Sequence, residues 1–318
     1  DNVPYTPKKS LSISLDGVAE GDFTMVFGFP GRTTQYLQSA AVEQIMTVND
    51  PAKIAIREKA LAVIDGYMRK DEKTKIQYAA KYAGIQNAYK KWQGEVLGLT
   101  STNALGKKRT NEAEFQRRVN ANPQWKTQYG TLLGDLETAY AEIKPYGYAR
   151  DYYLEIISKI ELFTIANWVN SVKTVAEKDG EKGFDQRRDQ AVAVLEGLFD
   201  EYNAAVDQQL FEKLIQMYVN DQEEKYQSPA LKKLLRENGN DVQKIATKLY
   251  EETILQNAKK TTELLNKPMD EIIEFVKKDK AIELYTDMAS TYSGEVAKKL
   301  NEIQGRINKL NRSYMQAQ

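Results

Sequence analysis

One face of a predicted helix over residues 72–97 combines a carboxamide side chain with small neighbours. Asn87 lies on this face one turn after Gly84 and two turns before Gly94, with Lys91 between them. A glycine inside a helix costs about 1 kcal/mol relative to alanine, so the two glycines indicate that another group approaches this surface closely. A carboxamide there can accept and donate hydrogen bonds. The face therefore predicts either a ligand site centred on Asn87 or close packing against a second helix.

The opposite face of the same helix is aromatic. Its large side chains recur at steps of three and four residues and therefore share one face: Tyr78, Tyr82, Ile85, Tyr89, Trp92 and Val96. This stripe predicts that the helix packs into a core and turns Asn87 away from it.

Helical periodicity continues over almost all of the chain after residue 33. Proline is tolerated in the first turn of a helix, and three prolines follow good capping residues: Pro51, Pro123 and Pro229. Helices are predicted over residues 123–143, 149–178 and 229–237, among others, with breaks at 98–109, 178–183 and 237–240. The sequence therefore predicts a mainly α fold, with one large multi-helix domain over residues 34–318.

The residue types that are missing exclude several kinds of chemistry. The 318 residues include no His and no Cys. A Ser–His–Asp triad, a HExxH zinc site, a zinc–thiolate site and a thiol nucleophile are therefore impossible within this chain. No metal or cofactor motif is found, and carboxylate pairs or lysines are the remaining candidates for catalysis.

The charge balance disfavours nucleic acid and membrane as partners. Basic and acidic residues number 45 each, for a net charge of zero. The basic cluster Lys107–Arg109, predicted to lie in a solvated loop, is too small for a nucleic-acid surface. No apolar run approaches the roughly 20 residues that span a bilayer.

The first 33 residues differ from the rest. Residues 11–33 alternate like a strand and end in a predicted tight turn at Gly28–Thr33, which lacks the Gly-x-x-x-x-Gly-Lys pattern of a phosphate loop. One or two strands are not stable alone in water. This segment therefore predicts partner strands outside the chain, and Arg32 could pair with a carboxylate at that junction.

A run of aromatic residues, Tyr146–Tyr153, is a second candidate binding surface. Its four tyrosines could line a groove for a peptide or a sugar. Amphipathic packing with the hydroxyl groups at the surface is the alternative interpretation.

Three motifs resemble one known family. They are residues 21–33 (GDFTMVFGFPGRT) behind residues 1–5 (DNVPY), residues 81–94 (KYAGIQNAYKKWQG) and residues 310–315 (LNRSYM). All three resemble the bacterial serine dipeptidyl-peptidases of the dipeptidyl-peptidase 7 and 11 type, serine peptidase family 46. The similarity between the second and third motifs is mainly helical character, and Ala88 departs from the aromatic residue that the family often has there.

The resemblance implies an architecture. The family is similar to chymotrypsin, with two β-barrels that carry Ser, His and Asp at their junction and a large helical domain inserted in the second barrel over the cleft. This chain would be the inserted domain, residues 34–318, behind a strand-and-turn segment of that barrel, residues 1–33. The catalytic groups would then lie outside the chain, and the fragment alone would be inactive.

The resemblance also implies residue roles. Asn87 matches the family's asparagine that helps to hold the free amino group of a peptide substrate, with Gly84, Lys91 and Gly94 as the supporting surface. Arg32 and Thr33 would form a junction or hinge. The partners would be peptides with a free N-terminus and the flanking barrel segments, in a protein exported by an upstream signal peptide to the periplasm or cell surface. The resemblance leaves open whether the parent protein is a homodimer. It also leaves open whether the parent prefers an acidic or a hydrophobic residue next to the cleaved bond.

Two other functions are compatible with the residues. The main alternative is a free-standing helical module that binds a peptide or protein through tyrosine-rich faces. An enzyme based on paired carboxylates is the third, and its signature would be a pH–rate profile.

Overall fold

The computed structural model describes residues 4–25, 27–28, 34 and 36–318. By its internal contacts the chain divides into two units, Asp1–Tyr36 and Leu37–Gln318. The predicted junction residues Arg32 and Thr33 lie outside the described residues.

The first unit contains a tight turn at Ala19–Asp22, and no strand occurs within residues 4–25 and 27–28. The predicted tight turn at residues 28–33 lies, after Gly28, outside the described residues. The amide of Asp22 donates to the carbonyl of Ala19 at 3.2 Å. Gly21, between them, has φ +94°, which a type II turn requires at its third residue.

Apolar side chains alternate along the first unit without being covered. Leu11, Ile13 and Leu15 are 85–94% exposed. A lone strand has no partner for its backbone or for such side chains. The barrel strand would form only by pairing with residues outside this chain, and it therefore stays a prediction.

The residues after Tyr36 are helical almost throughout. In chain order the helices are α1 (Ser39–Gln44), α2 (Asp50–Met68), α3 (Glu72–Ser101), α4 (Ala104–Ala121), α5 (Pro123–Tyr129), α6 (Leu132–Ile157), α7 (Glu161–Asp200), α8 (Ala204–Asp221), α9 (Pro229–Glu237), α10 (Val242–Glu252), α11 (Ala258–Leu265), α12 (Met269–Lys278), α13 (Lys280–Thr291) and α14 (Lys298–Ala317). Short π-helical segments, Ile45–Asn49 and Tyr292–Ala297, join α1 to α2 and α13 to α14, and a 3₁₀ turn, Glu224–Tyr226, follows α8. The mainly α prediction is confirmed.

The proline signals located helix starts correctly. Pro51, Pro123 and Pro229 lie in the first turns of α2, α5 and α9. The side chains of Asn122 and Ser228 cap α5 and α9 by accepting from backbone amides of the first turn.

One predicted helix end is wrong, and one predicted break is shorter than expected. Helix α6 continues through Pro145, because Ile143 and Ala149 on either side are buried and this packing offsets the hydrogen bond that proline cannot donate. The predicted loop at 98–109 shrinks to Thr102 and Asn103, the latter in the left-handed region at φ +48°. The basic cluster Lys107–Arg109 therefore lies on α4.

The predicted break at 178–183 is confirmed as a reversal of the chain within α7. Gly180 has φ +68° and ψ −159°, which is not helical. The side chain of Arg187 donates from Nε to Ser171 Oγ at 2.7 Å and its guanidinium lies 4.2 Å from the centre of the Trp168 ring. Residues 16 apart in one straight helix would be about 24 Å apart, so the two halves of α7 form an antiparallel pair.

A single large core joins most of the second unit. Buried side chains of α2, α6, α7, α8, α10, α12 and α13 form one contiguous cluster, which includes Ile56, Phe163 and Phe211 at zero exposure. A smaller cluster lies where α14 packs on α6, around Ile143, Ile303 and Ile307. Helix α3 lies against α2 at the edge of the large core.

Candidate functional site

Helix α3 starts at a strong cap. The carboxylate of Asp71 accepts from the amide of Thr74 at 2.8 Å and from its hydroxyl at 2.6 Å. These two hydrogen bonds stabilise the charged form and lower the pKa of Asp71. The cap fixes the start of the helix that carries Asn87.

The aromatic face of α3 packs inward, as predicted. Tyr78 is 1% exposed, and the other five members of the stripe are half-buried. Tyr82 and Ile85 pack against the large core.

A cationic clamp holds the middle of α3 on α2. Lys53 Nζ and the Arg57 guanidinium lie 4.2 Å and 4.6 Å from the centre of the Trp92 ring. Arg57 also makes a bidentate pair with Glu155 of α6, at 2.8 and 3.0 Å, and donates from Nη1 to the carbonyl of Ile85 at 3.1 Å. Three helices thus fix the backbone two residues before Asn87.

The opposite face of α3 is open. Gly84, Asn87, Lys91 and Gly94 are all exposed, and a Cβ atom added at either glycine would meet nothing within 4 Å. Among the described residues, no side-chain hydrogen bond reaches Asn87. The alternative of close helix–helix packing is therefore not realised here by the part of the chain that the structure describes.

The charge of Lys91, one turn after Asn87 on the same face, is neutralised. The ammonium of Lys91 forms an ion pair with Glu95, one turn further along α3. Glu95 is the more covered partner, with 29% of its side chain exposed against 61% for Lys91. Lys91 supports this surface as half of a pair and does not present an isolated cation.

A cavity of about 500 Å³ reaches from Gly84 to the charged groups at the base of α3. Lys81 borders it and donates to Glu161 at 2.6 Å. Lys159 also borders it, and burial lowers the pKa of this lysine. Its Nζ lies 3.2 Å from Oε2 of Glu155, the carboxylate that also pairs with Arg57. These cations are paired with carboxylates.

Sequence reasoning missed a pair of carboxylates, Glu161 and Asp207, at the start of α7. Asp207 of α8 is fully buried and accepts from the amides of Glu161 and Leu162 at 2.6 and 2.8 Å. It also accepts from the hydroxyls of Tyr250 at 2.8 Å and Tyr202 at 3.2 Å. Asp207 therefore caps α7 from another helix, which explains why the predicted continuous helix 149–178 ends before residue 161.

Burial decides the charge state of this cluster. Burial, followed by the charge of Glu161, raises the pKa of Asp207 to about 7, and burial also raises the pKa of Tyr78, Tyr202 and Tyr250. A carboxylate with no exposed surface and four donors is a structural cap. This observation disfavours an enzyme built on the pair.

Metal and membrane features are not observed in the described part of the chain. Residues 4–25, 27–28, 34 and 36–318 contain no group of three or more carboxylates placed to hold a metal ion. None of the helices in these ranges combines the length and apolarity that crossing a membrane needs.

Comparison with known proteins places this chain in one family. The family model described as Peptidase S46 matches residues 1–318. The chain therefore belongs to the peptidase S46 family.

Relatives over the whole chain are dipeptidyl-peptidases. An Asp/Glu-specific dipeptidyl-peptidase of Flavobacterium psychrophilum is 40% identical over 100% of this chain and 44% of the relative. Dipeptidyl-peptidase 7 of Porphyromonas endodontalis is 28% identical over 100% of this chain and 38% of the relative. The chain thus spans less than half the length of these curated relatives.

A solved structure shows the same fold. The crystal structure of Porphyromonas endodontalis DPP11 in complex with the dipeptide Arg-Glu matches 99% of this chain and 44% of the solved chain, with a TM-score of 0.75 and 22% sequence identity.

Proposed function

We propose that this chain is the substrate-covering helical part of a serine dipeptidyl-peptidase, in which Asn87 holds the free amino group of the peptide. The observation that carries the proposal is an exposed, unpartnered Asn87 between open glycines, in a chain that matches the S46 family from end to end.

The chemistry of the face suits an ammonium group. The carboxamide oxygen of Asn87 can accept a hydrogen bond from it, and the bare helix surface at Gly84 and Gly94 leaves room for the substrate backbone. Lys91 on the same face is paired with Glu95, so it does not repel an ammonium as an isolated cation. An anchor for the free amino group places the second peptide bond of the substrate at the catalytic groups, so that dipeptides are released.

Bond cleavage belongs to the rest of the parent protein. With no His, this chain cannot supply a Ser–His–Asp triad, so the purified fragment is expected to hydrolyse no peptide. The exposed alternating side chains Leu11, Ile13 and Leu15 fit a strand that pairs with flanking barrel segments.

We further propose that the parent prefers an acidic residue next to the cut. The identity of 40% to an Asp/Glu-specific relative, against 28% to a dipeptidyl-peptidase 7, supports this choice. Three expectations stay predictions: export to the periplasm or cell surface, a homodimeric parent protein, and the absence of nucleic-acid or membrane partners. The S46 match over residues 1–318 favours the peptidase over a free-standing binding module.

The test of Asn87 is kinetic. In the full-length enzyme, Asn87→Ala should raise KM for dipeptidyl substrates by about tenfold, the worth of one hydrogen bond to a charged group. Asn87→Asp, which keeps an acceptor, should retain most of the binding. The matched control is Gln93→Ala, an exposed carboxamide on another side of α3. An unchanged KM in Asn87→Ala would contradict the role of Asn87 in holding the amino group. The preference for an acidic residue is tested separately, by comparing the cleavage of dipeptidyl substrates with an acidic and with a hydrophobic residue next to the cleaved bond.

A further inference from the structure

The second unit, Leu37–Gln318, packs as two bodies that meet within α6. The buried side chains of α6 over residues 132–143 pack with α4 and α14, whereas those from Tyr152 onward belong to the large core. Helix α1 packs on α4 and α6. The smaller body therefore consists of α1, α4, α5, the first half of α6 and α14. The larger body contains the large core and α3 as far as its clamp at Trp92.

Within residues 37–318, three helical paths between these bodies carry a backbone irregularity. From α1 to α2 the path passes through the π-helical segment Ile45–Asn49, where the amide of Asp50 donates to the carbonyl of Ile45, five residues earlier. From α13 to α14 it passes through the π-helical segment Tyr292–Ala297. Helix α6 contains Pro145, which has no N–H to donate to the carbonyl four residues earlier. Sharp helix kinks occur at such prolines and π-helical turns.

The three irregularities lie beside one another. Nδ2 of Asn49, at the end of the first π-helical segment, donates to Oδ2 of Asp151 at 2.7 Å. Tyr292, at the start of the second, stacks on Tyr153 with ring centres 4.2 Å apart. Asp151 and Tyr153 lie about two turns after Pro145 on α6. A belt thus crosses the unit, formed by residues 45–49, 145–153 and 292–297.

Free space borders the belt at Pro145. A cavity of about 590 Å³ borders both Pro145 and Thr47 of the first π-helical segment. Tyr148 of the aromatic run and Gln222 also line this cavity. A separate cavity of about 460 Å³ lies between Pro145 and Ile303 of α14. Because these sides of Pro145 are not filled by packed side chains, α6 can change its bend there without compressing a core.

Helix α3, a further connection, is weakened where it passes the belt. It carries Gly94 and Gly98 between its clamp at Trp92 and the turn into α4. A Cβ atom added at either glycine would meet nothing within 4 Å, and each glycine costs the helix about 1 kcal/mol relative to alanine. Burial raises the pKa of Asp50, and the charge of Glu95 adds to this effect. The end of the first π-helical segment therefore lies close to residues 94–98 of α3.

We propose that the belt is a hinge at which the larger body bends relative to the smaller one. Asn87 belongs to the larger body, and α1 and α14 belong to the smaller. Bending therefore moves Asn87 relative to the first and last helices of the unit. Under the proposed function, the flanking barrel segments join the chain next to those helices, so bending moves the amine-holding face relative to the catalytic groups. This consequence rests on the proposed function, whereas the hinge does not.

Helix geometry sets the size of the motion. Helix α14 has 20 residues, which makes it about 30 Å long. A change of about 20° in the bend at its start moves its far end by about 10 Å. Distances across the belt should therefore spread over a range about 10 Å wider than distances within one body.

Spin labels on introduced cysteine pairs measure this spread in the 318-residue chain, which has no cysteine of its own. The pair across the belt joins Lys309→Cys on α14 to Gln243→Cys on α10. The pair within the smaller body joins Lys309→Cys to Gln128→Cys on α5. The pair within the larger body joins Gln243→Cys to Lys277→Cys on α12. All four positions are exposed, and pulsed dipolar electron paramagnetic resonance should give the broadest distance distribution for the pair across the belt.

Pro145→Ala tests the origin of the spread. The substitution gives α6 the missing N–H donor, so it should narrow the distribution across the belt towards the width found within one body. The matched control is Pro229→Ala. Pro229 lies in the first turn of α9, where no helical hydrogen bond is missing, and its replacement should leave the width unchanged. Circular dichroism checks that the variants fold, and the comparison of the three label pairs in the otherwise unsubstituted chain depends on neither variant.

Two outcomes would overturn the hinge. The first is an equal width of the distance distribution for all three label pairs. The second is a broad distribution across the belt that Pro145→Ala leaves unchanged, which would place the bending elsewhere. The measurement uses no substrate, so a rigid belt would remove the hinge and leave the proposed role of Asn87 to be decided by its own kinetics.

Discussion

The guanidinium of Arg57 on α2 donates to the carbonyl oxygen of Ile85 on α3 at 3.1 Å, two residues before Asn87. The same guanidinium pairs with Glu155 and stacks on Trp92. One side chain therefore ties α2, α3 and α6 together directly beneath the open face. The orientation of Asn87 depends on contacts made on the opposite side of its own helix.

Replacement of Arg57 should both destabilise the fold and disturb the open face. Arg57→Ala is expected to cost about 2–3 kcal/mol in the free energy of unfolding, because it removes two charge-assisted hydrogen bonds and leaves Glu155, with 13% of its side chain exposed, paired with Lys159 alone. Urea denaturation measures this. Arg69→Ala, which removes an exposed pair with Asp65, should change stability by less than about 1 kcal/mol. Equal effects of the two substitutions would contradict the clamp.

The glycines of the open face should be replaceable without strain. Gly84→Ala and Gly94→Ala are expected to raise the free energy of unfolding by about 0.5–1 kcal/mol each, because the helix gains a better former and the new Cβ meets nothing within 4 Å. Gly180→Ala is the contrasting variant. It should destabilise, because φ +68° favours glycine. Thermal unfolding compares the three, and loss of stability at Gly94→Ala would mean that the face is covered.

Bulk on the same face should affect substrate binding and not folding. In the proposed full-length dipeptidyl-peptidase, Gly94→Leu is expected to lower kcat/KM for dipeptidyl substrates while the melting temperature stays level or rises. Gly197→Leu on α7, where an added Cβ also meets nothing within 4 Å, is the control that should keep full activity. Normal kinetics in Gly94→Leu would argue against approach of the substrate to α3.

Asp207 should make stability depend on pH. Its pKa is about 7 when folded, against an ordinary value of 3.8, so between about pH 4 and 7 the folded state holds a proton that the unfolded state releases. Its contribution to stability is complete below pH 4 and is lost as the pH rises through 7, at up to about 1.4 kcal/mol per pH unit. Urea denaturation of Asp207→Asn across this range should show a flatter pH dependence. Asp189→Asn, at an exposed carboxylate, should leave the slope unchanged, and a steep slope in Asp207→Asn would exclude this origin.

Local sequence signals located elements that depend on local physics. Pro123 and Pro229 marked helix starts because proline and a capping side chain act within one turn. The stripe from Tyr78 to Val96 gave the inner face of α3, and thereby the outward direction of Asn87, because helical periodicity is a local property. The missing histidines excluded a triad without any structure.

Signals failed where distant residues decided the outcome. A helix was expected to end at residue 143, but α6 continues through Pro145 because the residues on both sides of the proline are buried. A helix was expected to continue past Ile160, but Asp207, 46 positions after Glu161, caps a new one there. No local pattern predicts such a cap. The same holds for the pairing of Arg57 with Glu155, which lies 98 positions away in the chain.

The sequence by itself determined the helical class, the amphipathic direction of α3 and the absence of an imidazole, since each follows from residue types and short spacings. Only the tertiary structure decided that nothing in the described residues covers the glycines beside Asn87, that two carboxylates meet at a buried helix start, and that Tyr148 and Gln222 face one cavity. Those outcomes depend on which helix surfaces from distant parts of the chain pack together. The packing energy between helices decides this, whereas the helix propensity of a single segment does not.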